Sequence, residues 1–302
     1  MSRLGVLIRR EFWEHRGLWI TPLAIAAVLI IGTVFLGEIQ IDVGFAGPPG
    51  SVDLRPPPMA LLMLGLSVPF YIATAILAVA YFLDCLYAER RDRSILFWKS
   101  MPVSDRLTVL SKFIAGLVVF PLGTYLVIAF TSLAVGAALW LRARVGVAAD
   151  ALPGWDWATW LQVQSVLLYG LVAALLWYAP YAAYLMLASV WARRSVYAWA
   201  FIPPVLLALL ERQLLGTNFF GGIVQRGFSE LLRLAFHLNR QFDISIGEVM
   251  TRPVGGAGGG RLLLQPFDPS VLLGSPQLWI GLIAAALMLL VAIRLRRLRD
   301  DS

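Results

Sequence analysis

Residues 18–37, 59–83 and 113–141 each pass without a single Asp, Glu, Lys, Arg or His. Such runs constrain the fold more than any other feature of the chain. The hydrocarbon core of a bilayer is about 30 Å thick, so a helix needs about 20 mostly apolar residues to cross it. Within lipid every backbone N–H and C=O must be satisfied internally, which a helix does and an isolated strand does not. Three further runs qualify: one within 161–192, one within 195–210, and one over 275–293, where Ser275 and Pro276 suit an N-cap and a first helical position. The fifth is the shortest and carries Pro203 and Pro204, with Glu211 and Arg212 at its end. Composition agrees, with 59% hydrophobic and 14% charged residues against about 25% charged in a soluble domain. The expected fold is an all-α polytopic membrane protein with six transmembrane helices, forming one domain over residues 1–302.

Basic residues near span ends are retained on the cytoplasmic side, and they fall in four clusters. Arg3, Arg9, Arg10 and Arg16 precede span one; Arg90, Arg91, Arg93, Lys99, Arg106 and Lys112 fill the loop between spans two and three; Arg193 and Arg194 separate spans four and five; Arg294, Arg296, Arg297 and Arg299 follow span six. Both termini are therefore expected in the cytoplasm. The net charge of +7 follows from this topology, and its division among four loops argues against nucleic-acid binding. Cys85 is the one cysteine, so no internal disulfide is possible and packing is its expected role. Glu11 and Glu14 before span one, with no small-residue cleavage site after Leu36, argue for a retained anchor over a signal peptide.

Three segments outside the spans have recognisable physics. In residues 1–17, Leu4, Ile8 and Phe12 share one helical stripe while Arg3, Arg10 and Glu14 lie elsewhere, the pattern of a helix in the headgroup layer. In the long segment 211–275, Phe228, Leu231, Ala235 and Leu238 oppose Glu230, Arg233, His237 and Gln241 as an external amphipathic helix. The glycine-rich stretch 255–260 lacks the Gly-Lys-Ser/Thr of a phosphate loop and reads as a linker. The chain thus has no P-loop of its own, and no HExxH or Gly-x-Ser-x-Gly motif and no acid at mid-span. It is not expected to be an enzyme or to hold a cofactor or metal.

The loop 84–112 is the most informative of these segments. Glu89, Arg90, Arg91, Asp92 and Arg93 extend span two as a charged helix, and Asp84 is placed to pair with Arg90 or Arg91. Ser94, Ile95, Leu96, Phe97 and Trp98 then supply apolar anchors, Pro102 breaks the helix, and Ser104 caps the next one. Aromatic side chains rimmed by Arg suit a protein partner; the same side chains also suit the inner headgroup layer.

With the interfacial helix, six spans, the sequence Ser100-Met101-Pro102-Val103-Ser104, the long segment before the last span, and Leu278-Trp279 opening a span that closes in arginines, the whole chain resembles an ABC-2 type transporter permease. It departs from many members in having Arg93-Ser94 where they have Gly-Thr or Gly-Ser after the loop glutamate. The resemblance implies the membrane half of an ATP-binding cassette exporter in the bacterial plasma membrane. It implies further that a coupling helix within 84–112 docks on separate ATPase subunits, which bind the ATP, and that a second permease copy, identical or different, completes the complex. On that basis Glu89, Arg90, Arg91, Arg93, Ser94, Ile95, Leu96, Phe97, Trp98 and Pro102 form the ATPase-coupling site, with membrane lipid as the surrounding partner and a hydrophobic or amphipathic substrate exported. Two other classes stay open at this point: a non-transporting scaffold or sensor subunit, and a polytopic membrane enzyme built around Asp84, Glu89 and Asp92.

Overall fold

The computed structural model describes residues 3–35, 58–92, 104–144, 156–192, 195–214, 216, 217, 222, 227, 230, 231 and 269–298. These residues are arranged as helices: α1 (Arg3–Glu14), α2 (Gly17–Phe35), α3 (Pro58–Asp84), α4 (Tyr87–Arg91), α5 (Asp105–Ile114), α6 (Phe120–Arg144), α7 (Trp157–Trp191), α8 (Val196–Leu214), α9 (Pro269–Leu273) and α10 (Pro276–Leu298). A π-helical turn, Ala115–Val119, joins α5 to α6. Among the described residues five helical runs are long and apolar enough to cross a membrane: Gly17–Phe35, Met59–Arg91, Asp105–Arg142, Trp157–Trp191 and Pro276–Leu298. Helix α8 forms where the fifth span was expected but stands outside this group. It carries Pro203, Pro204, Glu211 and Arg212, and from Phe201 onward most of its side chains are exposed.

Local chemistry accounts for the ends of the elements. Ser104 caps α5 by accepting from the Leu107 N–H at 3.4 Å. Asp156 caps α7 by accepting from the N–H groups of Ala158 and Thr159, each at 3.2 Å, and these bonds hold its carboxyl below the usual carboxylate range. Helix α7 therefore begins four residues ahead of the apolar run that announced it. Helix α10 starts at Pro276 as expected, but the Ser275 hydroxyl donates to the Leu272 carbonyl at 2.7 Å instead of capping forward.

Helix α7 is central. Small side chains let α10 lie along its second half, where Ala179, Ala183 and Ala285 form a buried cluster. Its first half is fastened to α6 by polar groups. Trp160 Nε1 and Gln164 Nε2 both donate to Ser132 Oγ, at 3.0 and 3.1 Å, and the Tyr125 hydroxyl donates to the Gln164 carbonyl at 3.2 Å. Trp177 lies about 30 Å along α7 at 1.5 Å per residue. There its Nε1 donates to the Gly227 carbonyl at 2.6 Å, and Leu231 packs with Ala173, Leu272 and Leu278. Part of the 211–275 segment thus rests against the middle of a spanning helix. The expected amphipathic pattern from Phe228 to Gln241 and the glycine stretch 255–260 otherwise fall outside the described residues.

Candidate functional site: a buried charge cluster at the basic end

The second half of α1, the end of α3, α4, α5 and the end of α10 meet at one end of the bundle, where the basic clusters of the sequence fall. Helix α1 turns Leu7 and Glu11 inward, while Leu4 and Ile8 are half-buried and Phe12 lies at the edge, 4.4 Å between centroids from Trp19. The buried face is thus rotated from the Leu4–Ile8–Phe12 stripe, and it includes a carboxylate.

Glu11 is held from two sides. Lys112 Nζ lies 2.9 Å from its Oε1, and the Tyr81 hydroxyl donates to its Oε2 at 2.9 Å. The same Lys112 Nζ is 3.2 Å from Glu89 Oε1, and the other oxygen of Glu89 accepts Arg296 Nη2 at 2.9 Å. Arg296 Nε reaches Asp105 Oδ1 at 3.4 Å, Arg297 Nε reaches Asp105 Oδ2 at 3.7 Å, and Arg10 Nη2 lies 3.9 Å from Glu89. Glu11, Glu89, Lys112 and Arg296 are exposed by only 2, 7, 1 and 6%, so each charge is stable there only because the others are present. An isolated buried ion carries a desolvation cost of several kcal/mol. Four elements remote in sequence are therefore tied through one cluster: α1 by Glu11 and Arg10, α4 by Glu89, α5 by Lys112 and Asp105, and α10 by Arg296.

A second fastening lies beside it. Ser189 Oγ, fully buried near the end of α7, accepts from the N–H groups of Leu86 and Tyr87 at 3.2 and 3.0 Å. In return the Arg90 guanidinium donates to the carbonyls of Ser189 and Ala192. Carbonyls left over at the end of α7 thereby gain a cationic donor. Arg91 points outward and bonds Asp92 Oδ1 at 3.1 Å. Cys85 is buried, as its packing role requires.

His15 follows α1 in the turn to α2. Its ring lies 4.8 Å from that of Tyr81, and its Nε2 is 3.7 Å from Glu11 Oε2. Burial pushes the imidazole below its ordinary value, and Glu11 pulls in the opposite direction. Glu11, Glu14 and His15 each offer a ligand atom, all within 4.8 Å of one another. Glu11 is already committed to Lys112 and Tyr81, and Glu14 to Arg10 at 2.6 Å, so the group reads as part of the ion network.

Of the residues assigned to coupling from the sequence, Glu89 and Arg90 are turned into these two fastenings and Arg91 is outward. Arg93, Ser94, Ile95, Leu96, Phe97, Trp98 and Pro102 lie outside the described residues. Sequence reasoning missed Glu11, Lys112, Arg296 and Ser189 as members of the site. Three of them share the buried register of their own helices, Glu11 four residues after Leu7, Lys112 four after Thr108 and Arg296 four after Ala292, but that register shows only once the helices are packed. No protein-family model matches the sequence, and comparison with curated proteins and with solved structures finds no match.

Proposed function

We propose that this chain is the membrane-spanning permease subunit of an ATP-binding cassette exporter that moves a hydrophobic or amphipathic substrate, driven by a separate ATPase that docks on the 84–112 loop. In this reading two permease subunits and two ATPases form the complex in a bacterial plasma membrane, with both termini cytoplasmic. The observation that carries the reading is the burial of Glu89 between Lys112 and Arg296. A push on the loop beyond α4 passes through Glu89 to α5 and α10, and through Arg90 to the end of α7. A transporter worked by an external motor needs such a rigid connection from its docking loop to several spans at once. Apolar side chains at Ile95, Leu96, Phe97 and Trp98, directly beyond α4, are the docking anchors, and residues 1–302 hold no P-loop, which fits ATP being bound by the separate ATPase of this reading.

The test is purification of the full chain from its native membrane in a gentle detergent, with identification of what elutes alongside. Recovery of a stoichiometric P-loop ATPase, lost on the double change Phe97→Ala and Trp98→Ala, is the expected result. A complex-preserving preparation that yields the intact chain with no nucleotide-binding partner overturns the reading.

A further inference from the structure

Opposite the buried Leu7–Glu11 face, α1 presents Val6, Arg9 and Trp13, at positions i, i+3 and i+7 of one outward stripe. Val6 and Trp13 are 54 and 57% exposed, and Arg9 is exposed, as is Arg16 in the turn that follows. Among the described residues no ion pair engages Arg9 or Arg16, whereas Arg10, on the inward flank, is taken up by Glu14 and Glu89. The stripe leads directly into the outward face of α2, where Ile20 and Leu23 are 60 and 57% exposed at the beginning of a membrane-length apolar run. An indole and a valine at that level are solvated by the headgroup–acyl boundary, and two uncompensated guanidiniums beside them lie where lipid phosphates lie.

We propose that this face of α1 is a binding site for anionic phospholipid headgroups, with Arg9 and Arg16 pairing to phosphate and Trp13 inserting between the lipids. The inference rests on the chain spanning a bilayer and is independent of the ATPase partner. It gives α1 two roles: the outward face holds lipid, and the inward face delivers Glu11 to Lys112. Guanidinium forks match phosphate oxygens in pairs, so the site distinguishes headgroups by net charge: zwitterionic lipids bring a compensating ammonium and anionic lipids do not.

The experiment titrates the full chain in detergent micelles with brominated phosphatidylglycerol or brominated phosphatidylcholine and follows tryptophan quenching. The Trp13→Phe variant identifies the part of the signal that arises at Trp13. Wild type is expected to prefer phosphatidylglycerol, with a preference that weakens as salt is added. The double change Arg9→Gln and Arg16→Gln is expected to lower phosphatidylglycerol affinity about fivefold per cation, leaving phosphatidylcholine binding and thermal stability unchanged. A double variant that keeps the preference overturns the proposal. So does an equal loss on Arg106→Gln, an exposed cation away from this face, which reduces the effect to diffuse charge. Absence of Trp13 quenching by either lipid also overturns it, since the face is then covered by protein.

Discussion

Lys112 is one cation serving two carboxylates. Its Nζ lies 2.9 Å from Glu11 and 3.2 Å from Glu89, so its removal leaves the buried Glu11 with only the Tyr81 hydroxyl and the His15 ring beside it, while Glu89 keeps Arg296 and Arg10. Loss of Glu11 strands nothing comparable, because Lys112 retains Glu89. Replacing Lys112 by Met is therefore expected to destabilise the protein by about 3–5 kcal/mol, the range for breaking a buried ion pair, and by more than Glu11→Gln does. Thermal unfolding in detergent at neutral pH checks the order; a smaller loss for Lys112→Met than for Glu11→Gln contradicts the geometry. His15 gives the cluster a pH dependence of defined sign. Burial depresses its folded-state pKa, so the unfolded chain takes up the proton first, at about 6.5. Its contribution is absent at high pH and becomes a loss of stability as pH falls through that value, levelling off once the folded imidazole also titrates. Wild type should lose melting temperature between pH 7.5 and 5.5 faster than His15→Gln does; parallel curves would remove His15 as the cause. These two pH limits are about one unit either side of the unperturbed imidazole.

At the scale of elements, the sequence was legible wherever hydrophobic period and length speak alone. Helices α2, α3 and α10 begin and end within a few residues of the apolar runs that announced them, because in lipid the length of the run sets the length of the helix. The N-cap of α5 at Ser104 and the start of α10 at Pro276 were legible from local chemistry. Helix α7 extends beyond its apolar run since Asp156 supplies a cap ahead of it, a signal carried by one residue. The rotation of α1 was not legible: Glu11 sits on the buried face only because Lys112, about a hundred positions later, neutralises it. No periodicity within twelve residues of α1 contains that information. The π turn at Ala115–Val119 was equally hidden. It lies where Gly116 lets the chain pass Tyr81 and Phe82 so closely that a Cβ on Gly116 would fall 2.6 Å from both rings, a tertiary demand overriding the local one.

For the whole molecule, the proposed transport reading separates docking from transmission. Docking belongs to the apolar residues around Phe97 and Trp98, beyond the end of α4; transmission belongs to Glu89, which touches Lys112, Arg296 and Arg10 and so meets three other elements. Glu89→Gln keeps the shape of the side chain and removes the charge that holds those cations together. It is expected to leave the ATPase bound but to cut the response of its ATP turnover to the permease several-fold, whereas Phe97→Ala with Trp98→Ala abolishes binding itself. Loss of stability alone would also lower turnover, and Glu11→Gln provides the control, since it weakens the same cluster without touching α4. The distinguishing pattern is a bound but unresponsive ATPase with Glu89→Gln and a bound, responsive one with Glu11→Gln, at melting temperatures matched by choice of assay temperature. If the two variants respond alike, the cluster is a structural clamp and force reaches the spans by another route, through Arg90 and the end of α7.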